Sequence, residues 1–385
     1  MLNVKSIILI FLIWRVLIFI PLIVGNKYLP YRANSSFTNI WHYTKPYFPV
    51  DSPLLYPWAN FDGVHYLAIA AQGYSNNERF FPLYPMLISI VSKFFAGSSA
   101  FGPVEFFTAL FLANIFFVLS LINLYRLILL DFKESVARLT VFYLLLFPTS
   151  FFFVSIYSES LFLLLLLLSF YFARQKKWLQ ASLCGMLVTV TRPVGFAIIP
   201  ALFFEFFKTE LSKNKNFSFK KFMPLLLLPL GIISYLVYNF YRFGNAWYFL
   251  KAQGELGNSR SVNALVFPLQ TIYRYFKILL TVPRVQYEWW IALLELTVFV
   301  ISCVLLYIAW NKVRTSYFIF AAIAFLIPAF SGTFTGLPRY LAVLFPLFIA
   351  LALSRNRIVI VVYTVCASLL LFILLMLFSR GFYIA

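Results

Sequence analysis

Apolar runs of roughly 20 residues, long enough for a helix to cross a hydrocarbon core about 30 Å thick, recur from one end of the chain to the other. They fall near 6–24, 104–126, 137–154, 157–173, 178–192, 194–208, 222–242, 288–310, 315–331, 338–354 and 356–378. The runs are continuous and lack the alternation of an outer-membrane barrel. In lipid every backbone amide needs a partner within the protein, so such runs must be helical. With 63% hydrophobic and 11% charged residues, the chain lies far from the composition of a soluble domain. The expected fold is an all-α polytopic membrane protein, a bundle of about eleven transmembrane helices forming one domain over residues 1–385.

The charge pattern supports the same reading. Lys and Arg number 31 against 12 Asp and Glu, a net charge of +19. The basic residues lie in short clusters between apolar runs, which argues against a nucleic-acid partner. With the N-terminus in the cytoplasm, the inner connections carry Arg126/Lys133/Arg138, Arg174/Lys176/Lys177, Lys208/Lys213/Lys215/Lys220/Lys221, Lys312/Arg314 and Arg355/Arg357. Every inner connection is then basic, as the positive-inside rule requires. Residues 80–95 are apolar but short, and a crossing there would move those loops outside, so a helix at the outer surface is expected. The run at 6–24 lacks a small-residue cleavage site and reads as an uncleaved first span. Cys184, Cys303 and Cys366 fall in spans, so no disulfide framework is expected. His42 and His65 are the only histidines, which nearly excludes a structural zinc site.

Two long outer segments remain. The first, 25–103, opens with turn formers (Pro30, Asn34-Ser35-Ser36, Pro46, Pro49, Asp51-Ser52-Pro53, Pro57) and becomes helical from about Trp58 to Ala71. The second, 243–287, holds Gly244, Gly254, Gly257, Lys251, Arg260, Arg274, Lys277 and Arg284. Its stretch from Asn263 to Leu280 reads as an interfacial amphipathic helix. No internal repeat is visible, which counts against an inverted-repeat transporter.

Asp62 is the candidate catalytic residue. On a helix it shares one face with His65 and Tyr66, and Gly73 supplies a stop. Partial desolvation there would raise the carboxyl pKa and make it a better proton acceptor; the alternative is an acid capping a helix or pairing with a nearby Arg. Glu78-Arg79-Phe80-Phe81-Pro82-Leu83-Tyr84-Pro85 makes a stiff corner, in which Glu78 and Arg79 are either substrate contacts or a solvated pair. In Ser155-Ile156-Tyr157-Ser158-Glu159-Ser160, Glu159 faces a cavity or a cation, or simply favours a helix N-terminus. Arg192 and Arg339, at the mouths of spans, suit a lipid phosphate, with headgroup snorkelling as the alternative. Arg15, mid-span, must face protein or water.

Together these pieces resemble the PIG-V-like mannosyltransferases, the family of GPI mannosyltransferase II and its prokaryotic relatives. The resemblance lies in Asn60-Phe61-Asp62-Gly63-Val64-His65-Tyr66, Gln72-Gly73-Tyr74, Phe80-Phe81-Pro82-Leu83-Tyr84-Pro85 and Pro148-Thr149-Ser150. It continues in Tyr157-Ser158-Glu159-Ser160-Leu161-Phe162, Thr191-Arg192-Pro193-Val194-Gly195 and, more weakly, Pro338-Arg339-Tyr340. It does not extend over about 210–330. The chain departs from the pattern in having Asn60 where the family usually carries a basic residue.

The resemblance implies a GT-C class glycosyltransferase, an integral membrane enzyme working at the outer or luminal face. The membrane would be the plasma membrane in a prokaryote and the endoplasmic reticulum in a eukaryote. The donor would be a polyprenyl-phosphate sugar, mannose by family, and the acceptor a lipid or glycan hydroxyl. Asp62 occupies the position of the family's catalytic base. His65, Tyr66, Glu78, Arg79, Tyr84, Tyr157, Glu159, Arg192 and Arg339 are the candidate substrate-binding residues. The chemistry needs one carboxylate, because phosphate leaves without a proton; glycoside hydrolysis by contrast uses two. A single displacement inverts the anomeric centre. Arg192 and Arg339 are candidates to oppose the charge on the leaving phosphate, so neither metal nor cofactor is expected. The competing reading is a transporter or flippase of lipid-linked saccharides.

Overall fold

The computed structural model describes residues 3–32, 53–75, 77–95, 102–210, 218–255 and 265–384. The turn formers Asn34-Ser35-Ser36, Pro46, Pro49 and Asp51-Ser52 lie outside these residues, as do Lys213, Lys215, Gly257, Arg260 and Asn263. Among the described residues the fold is helical, with one isolated parallel bridge between Val266 and Ser331 and no strand. Among the described residues five helices are long and apolar enough to cross a membrane: Val4–Tyr28, Pro103–Leu129, Phe219–Phe243, Tyr287–Lys312 and Arg357–Ser379. Their outward faces expose Leu9, Val16, Phe111, Val300, Val304, Val361 and Leu369, as expected of a surface in hydrocarbon.

Several expected spans are broken. The run 137–154 gives the helix Glu134–Leu146 and a 3₁₀ turn at Ser150–Val154. The runs 178–192 and 194–208 give Trp178–Thr189, a 3₁₀ turn at Pro193–Ala197 and Ile198–Glu210. Pro148 and Pro193 explain the breaks: a proline offers no amide and pushes its predecessor out of the helical region. These breaks shape the site, because the broken backbone lies where its functional side chains are presented.

The helix Glu159–Arg174 forms the middle of the bundle and is buried nearly all round. Pro103–Leu129 and Trp178–Thr189 pack along it. The first and last helices of the chain pack together beside this centre. Gly231 lets the helix Leu230–Phe243 close on Trp178–Thr189, since a Cβ there would lie 2.2 Å from the Met186 carbonyl oxygen. The amphipathic expectation in the second outer segment corresponds to the helix Pro268–Thr281, which buries Thr271 and Tyr275 and exposes Leu269, Tyr273, Phe276 and Leu280.

Candidate active site

Asp62 opens the helix Asp62–Gln72, directly after a strained turn. Phe61 sits at φ 58 and ψ −112, a conformation that costs a bulky residue about 1–3 kcal/mol. Its neighbours hold it there. The Asn60 side-chain amide donates to the Phe378 carbonyl at 3.0 Å, and the Asn60 carbonyl accepts from the Tyr157 hydroxyl at 2.7 Å. The Phe61 ring packs on Phe378 and Tyr383. The preceding Trp58 is fully buried and lies under the Arg15 guanidinium, 4.0 Å from its ring centroid. Arg15 therefore faces protein, and its Nε also donates to Asn114 Oδ1 at 3.1 Å. Strain of this kind at an acid's doorstep serves to aim the side chain.

The carboxylate meets Arg339, 277 residues away in sequence, with Arg339 Nη1 donating to Asp62 Oδ2 at 2.5 Å. Arg339 Nε lies 3.2 Å from Glu159 Oε1, and Arg192 Nη1 pairs with that same oxygen. Neither Glu159 oxygen nor Arg339 Nε achieves hydrogen-bond geometry. Aromatic faces supply what the carboxylates do not. Arg339 lies over Phe152 and Tyr157 at 5.6 and 5.4 Å, and Arg192 lies over Tyr340 at 5.1 Å.

These groups line a cavity of about 630 Å³, its open mouth included, walled by Asp62, Tyr66, Arg79, Phe80, Phe81, Thr191, Arg192, Pro193, Arg339, Tyr340 and Tyr383. Asp62 lies outside the five apolar helices. Burial alone would lift its carboxyl, but the charges of Arg339 and Arg79 outweigh burial and hold it below the usual carboxylate range. The sequence-based expectation of a raised value therefore does not hold. The alternative weighed there, an acid paired with an Arg, is the one observed, the arginine being delivered by a distant element. Burial and the Arg79 charge drop the His65 imidazole to about 4, so it is neutral at physiological pH.

Of the residues singled out from sequence, Asp62, Tyr66, Arg79, Arg192 and Arg339 reach the cavity wall, with Glu159 directly behind the last two. His65 lies behind the wall, stacked on Phe80 and joined through Nδ1 to Asn77 at 2.9 Å. Tyr84 is buried, its hydroxyl donating to the Ala109 carbonyl at 3.0 Å and its ring edge-on to Tyr66. Tyr157 serves Asn60 as described. Glu78 is fully buried, with Arg242 Nε 3.9 Å away, and so is not part of a solvated pair. Tyr340 and Tyr383 line the wall without having been singled out, although Tyr340 follows Arg339 directly. The loop leading to Arg339 has an anchor that the sequence did not suggest. Glu295 accepts from Tyr275 at 2.5 Å and from the Gly336 amide at 3.3 Å, while the Phe334 amide donates to the Tyr275 hydroxyl at 3.0 Å. Among the described residues no three His, Cys, Asp or Glu side chains cluster closely enough to hold a metal ion.

A profile of the mannosyltransferase (PIG-V) family matches residues 4–277, most of the chain and most of the cavity wall. The chain belongs to the mannosyltransferase (PIG-V) family. That family's description is of a mannosyltransferase, which favours a transfer reaction over the transporter reading. No curated protein matches the chain. Two solved structures of the Archaeoglobus fulgidus oligosaccharyltransferase resemble it. The apo form is 16% identical with a TM-score of 0.45, covering 86% of this chain and 52% of that one. The form tethered to an acceptor peptide is 15% identical with a TM-score of 0.43, covering 96% and 55%. The chain thus spans about half the length of that protein.

Proposed function

We propose that this PIG-V family member transfers a hexose, mannose by family, from a polyprenyl-phosphate donor to an acceptor hydroxyl, inverting the anomeric centre, with Asp62 as general base. The observation that carries this reading is a single carboxylate on the wall of a cavity otherwise charged by Arg79, Arg192 and Arg339. The acceptor oxygen attacks the anomeric carbon as its proton passes to Asp62. The anomeric carbon–oxygen bond breaks, and its electron pair leaves on the polyprenyl phosphate. Arg192 and Arg339 oppose the charge that develops on that phosphate. Asp62 is held as a weak base, yet only Oδ2 is engaged by Arg339. Among the described residues Oδ1 makes no hydrogen bond. The low pKa keeps the acid ionised and able to accept at neutral pH. Eleven crossings, with the basic loops inside, would put the cavity at the outer face, where lipid-linked donor and acceptor meet.

The test is Asp62→Asn. Transfer from a panel of polyprenyl-phosphate sugars, followed by product mass, is expected to fall by about 10²–10⁴ with normal insertion and purification. Near-native turnover by this variant would remove Asp62 as the base.

A further inference from the structure

The arginines of the cavity are not equivalent. Arg339 is matched by Asp62 and Glu159, and Arg192 by Glu159. Arg79 has no carboxylate partner among the described residues. Its Nε is buried without a hydrogen bond, and its guanidinium rests 4.6 Å from the Phe80 ring centroid. The adjacent acid, Glu78, has its carboxylate 3.9 Å from Arg242 Nε, and its backbone carbonyl accepts from Tyr235. The Glu78 carboxylate is thus placed near Arg242, while Arg79 acts on Asp62 across the cavity without a direct ion pair.

The loop is built to keep Arg79 in place. The Tyr74 hydroxyl donates to the Phe80 carbonyl at 2.6 Å, and the Phe80 amide to the Asn77 carbonyl at 3.0 Å. His65 joins Asn77, Arg242 donates to the Tyr74 carbonyl at 2.6 Å, and the Tyr235 hydroxyl donates to the Glu78 carbonyl. A neutral His65 does not compete with Arg79 for an anion. A planar guanidinium that is fixed, unpaired and open to a cavity is suited to paired hydrogen bonds with phosphate oxygens. Arg192 and Arg339 would first have to give up carboxylates.

We infer that Arg79 is the group that receives the phosphate of the lipid-linked donor in the ground state, leaving Arg192 and Arg339 to act on the charge that develops as the bond breaks. This rests on the proposed transfer reaction and assigns a division of labour within it.

The experiment measures binding of farnesyl phosphate to the purified full-length protein in detergent, separately from turnover. Arg79→Gln is expected to weaken binding by about tenfold or more, a larger loss than Arg192→Gln or Arg339→Gln gives. Arg79→Lys should recover part of it. Farnesol binding should not distinguish wild type from Arg79→Gln, and that control also reports that the variant is folded. Inorganic phosphate at equal concentration should not displace farnesyl phosphate. Undiminished binding by Arg79→Gln, or a greater loss in either other arginine variant, overturns the assignment. Displacement by inorganic phosphate alone overturns the lipid donor as its ligand. Full turnover by Asp62→Asn combined with lost binding in Arg79→Gln would instead sink the reaction and spare the phosphate site.

Discussion

The helix Glu159–Arg174 carries a cluster of charges at each end, separated by about 22 Å at 1.5 Å per residue, and the two clusters are built on opposite rules. At the Arg174 end every ion is satisfied. Arg174 donates to both oxygens of Asp131, at 2.5 and 3.3 Å. Arg314 grips Glu205 through Nε at 2.8 Å and Nη2 at 2.6 Å, while Ser316 and Tyr317 complete Glu205 and Asp131. Neither Arg174 nor Arg314 lies over an aromatic ring among the described residues. At the Glu159 end the ions outnumber their hydrogen bonds, rings stand in for carboxylates, and a cavity opens beside them. A saturated network fixes a structure. An unsaturated network beside a cavity has bonding capacity left for a substrate, and its ions are kept from collapsing onto one another by the packed helices around them.

The largest expected effect separates the two ends. Glu205→Ala strips Arg314 of its main partner inside a buried network, and such a loss typically removes about 3–5 kcal/mol of stability. Asp62→Asn leaves Arg339 beside Glu159 and should change stability far less while removing turnover. Thermal or denaturant unfolding in detergent, paired with turnover per folded molecule, checks both. Equal stability losses at the two ends would erase the distinction.

The next effect concerns pH. The Asp62 carboxyl lies below its ordinary value, so its ion pair stabilises the fold above the unfolded carboxylate pKa and is lost as pH falls through the lowered folded value. The base form follows the same titration. In Arg339→Met, burial loses its strongest opponent and the pKa rises, so the acidic limb of kcat/KM should move to higher pH. The rate at neutral pH should fall by about 10²-fold through the lost charge stabilisation. A limb that stays where the wild type has it would mean that a group other than Asp62 titrates there.

Much of the cavity end could be read in the sequence, and the reasons are local. Asp62 and Tyr66 are four apart on one helix and do reach the same wall. Gly73 stops that helix at φ 78. Arg192 and Arg339 stood out as cations at span mouths suited to a lipid phosphate, and Arg79 through its place beside Glu78 in the proline corner. Which acid each arginine meets was not legible, because the Asp62–Arg339 pair is closed by helix packing across 277 residues. For the same reason the pKa shift of Asp62 was read with the wrong sign. The strain at Phe61 and the Glu295–Tyr275 anchor gave no local signal, since each exists only through partners far along the chain. The break at Pro193 was anticipated between the runs 178–192 and 194–208, but Pro148 fell inside the run 137–154, because hydropathy continues through a proline while the helical hydrogen bonds do not.

The smallest expected effect tests whether rings truly replace carboxylates at the cavity end. Tyr340 lies under Arg192 at 5.1 Å and near Arg339 at 5.9 Å, and its ring lines the cavity. Tyr340→Phe keeps the face and loses only the hydroxyl, whereas Tyr340→Leu keeps apolar bulk and loses the quadrupole. A buried cation–π contact is worth about 0.5–2 kcal/mol, so the leucine variant should lose severalfold in kcat/KM beyond the phenylalanine variant. The comparison between variants matters more than either alone, because both share any effect of the missing hydroxyl. If leucine and phenylalanine behave alike, the ring acts as a wall only, and Arg192 is held by Glu159 in the same manner as the satisfied arginines at the opposite end of the helix.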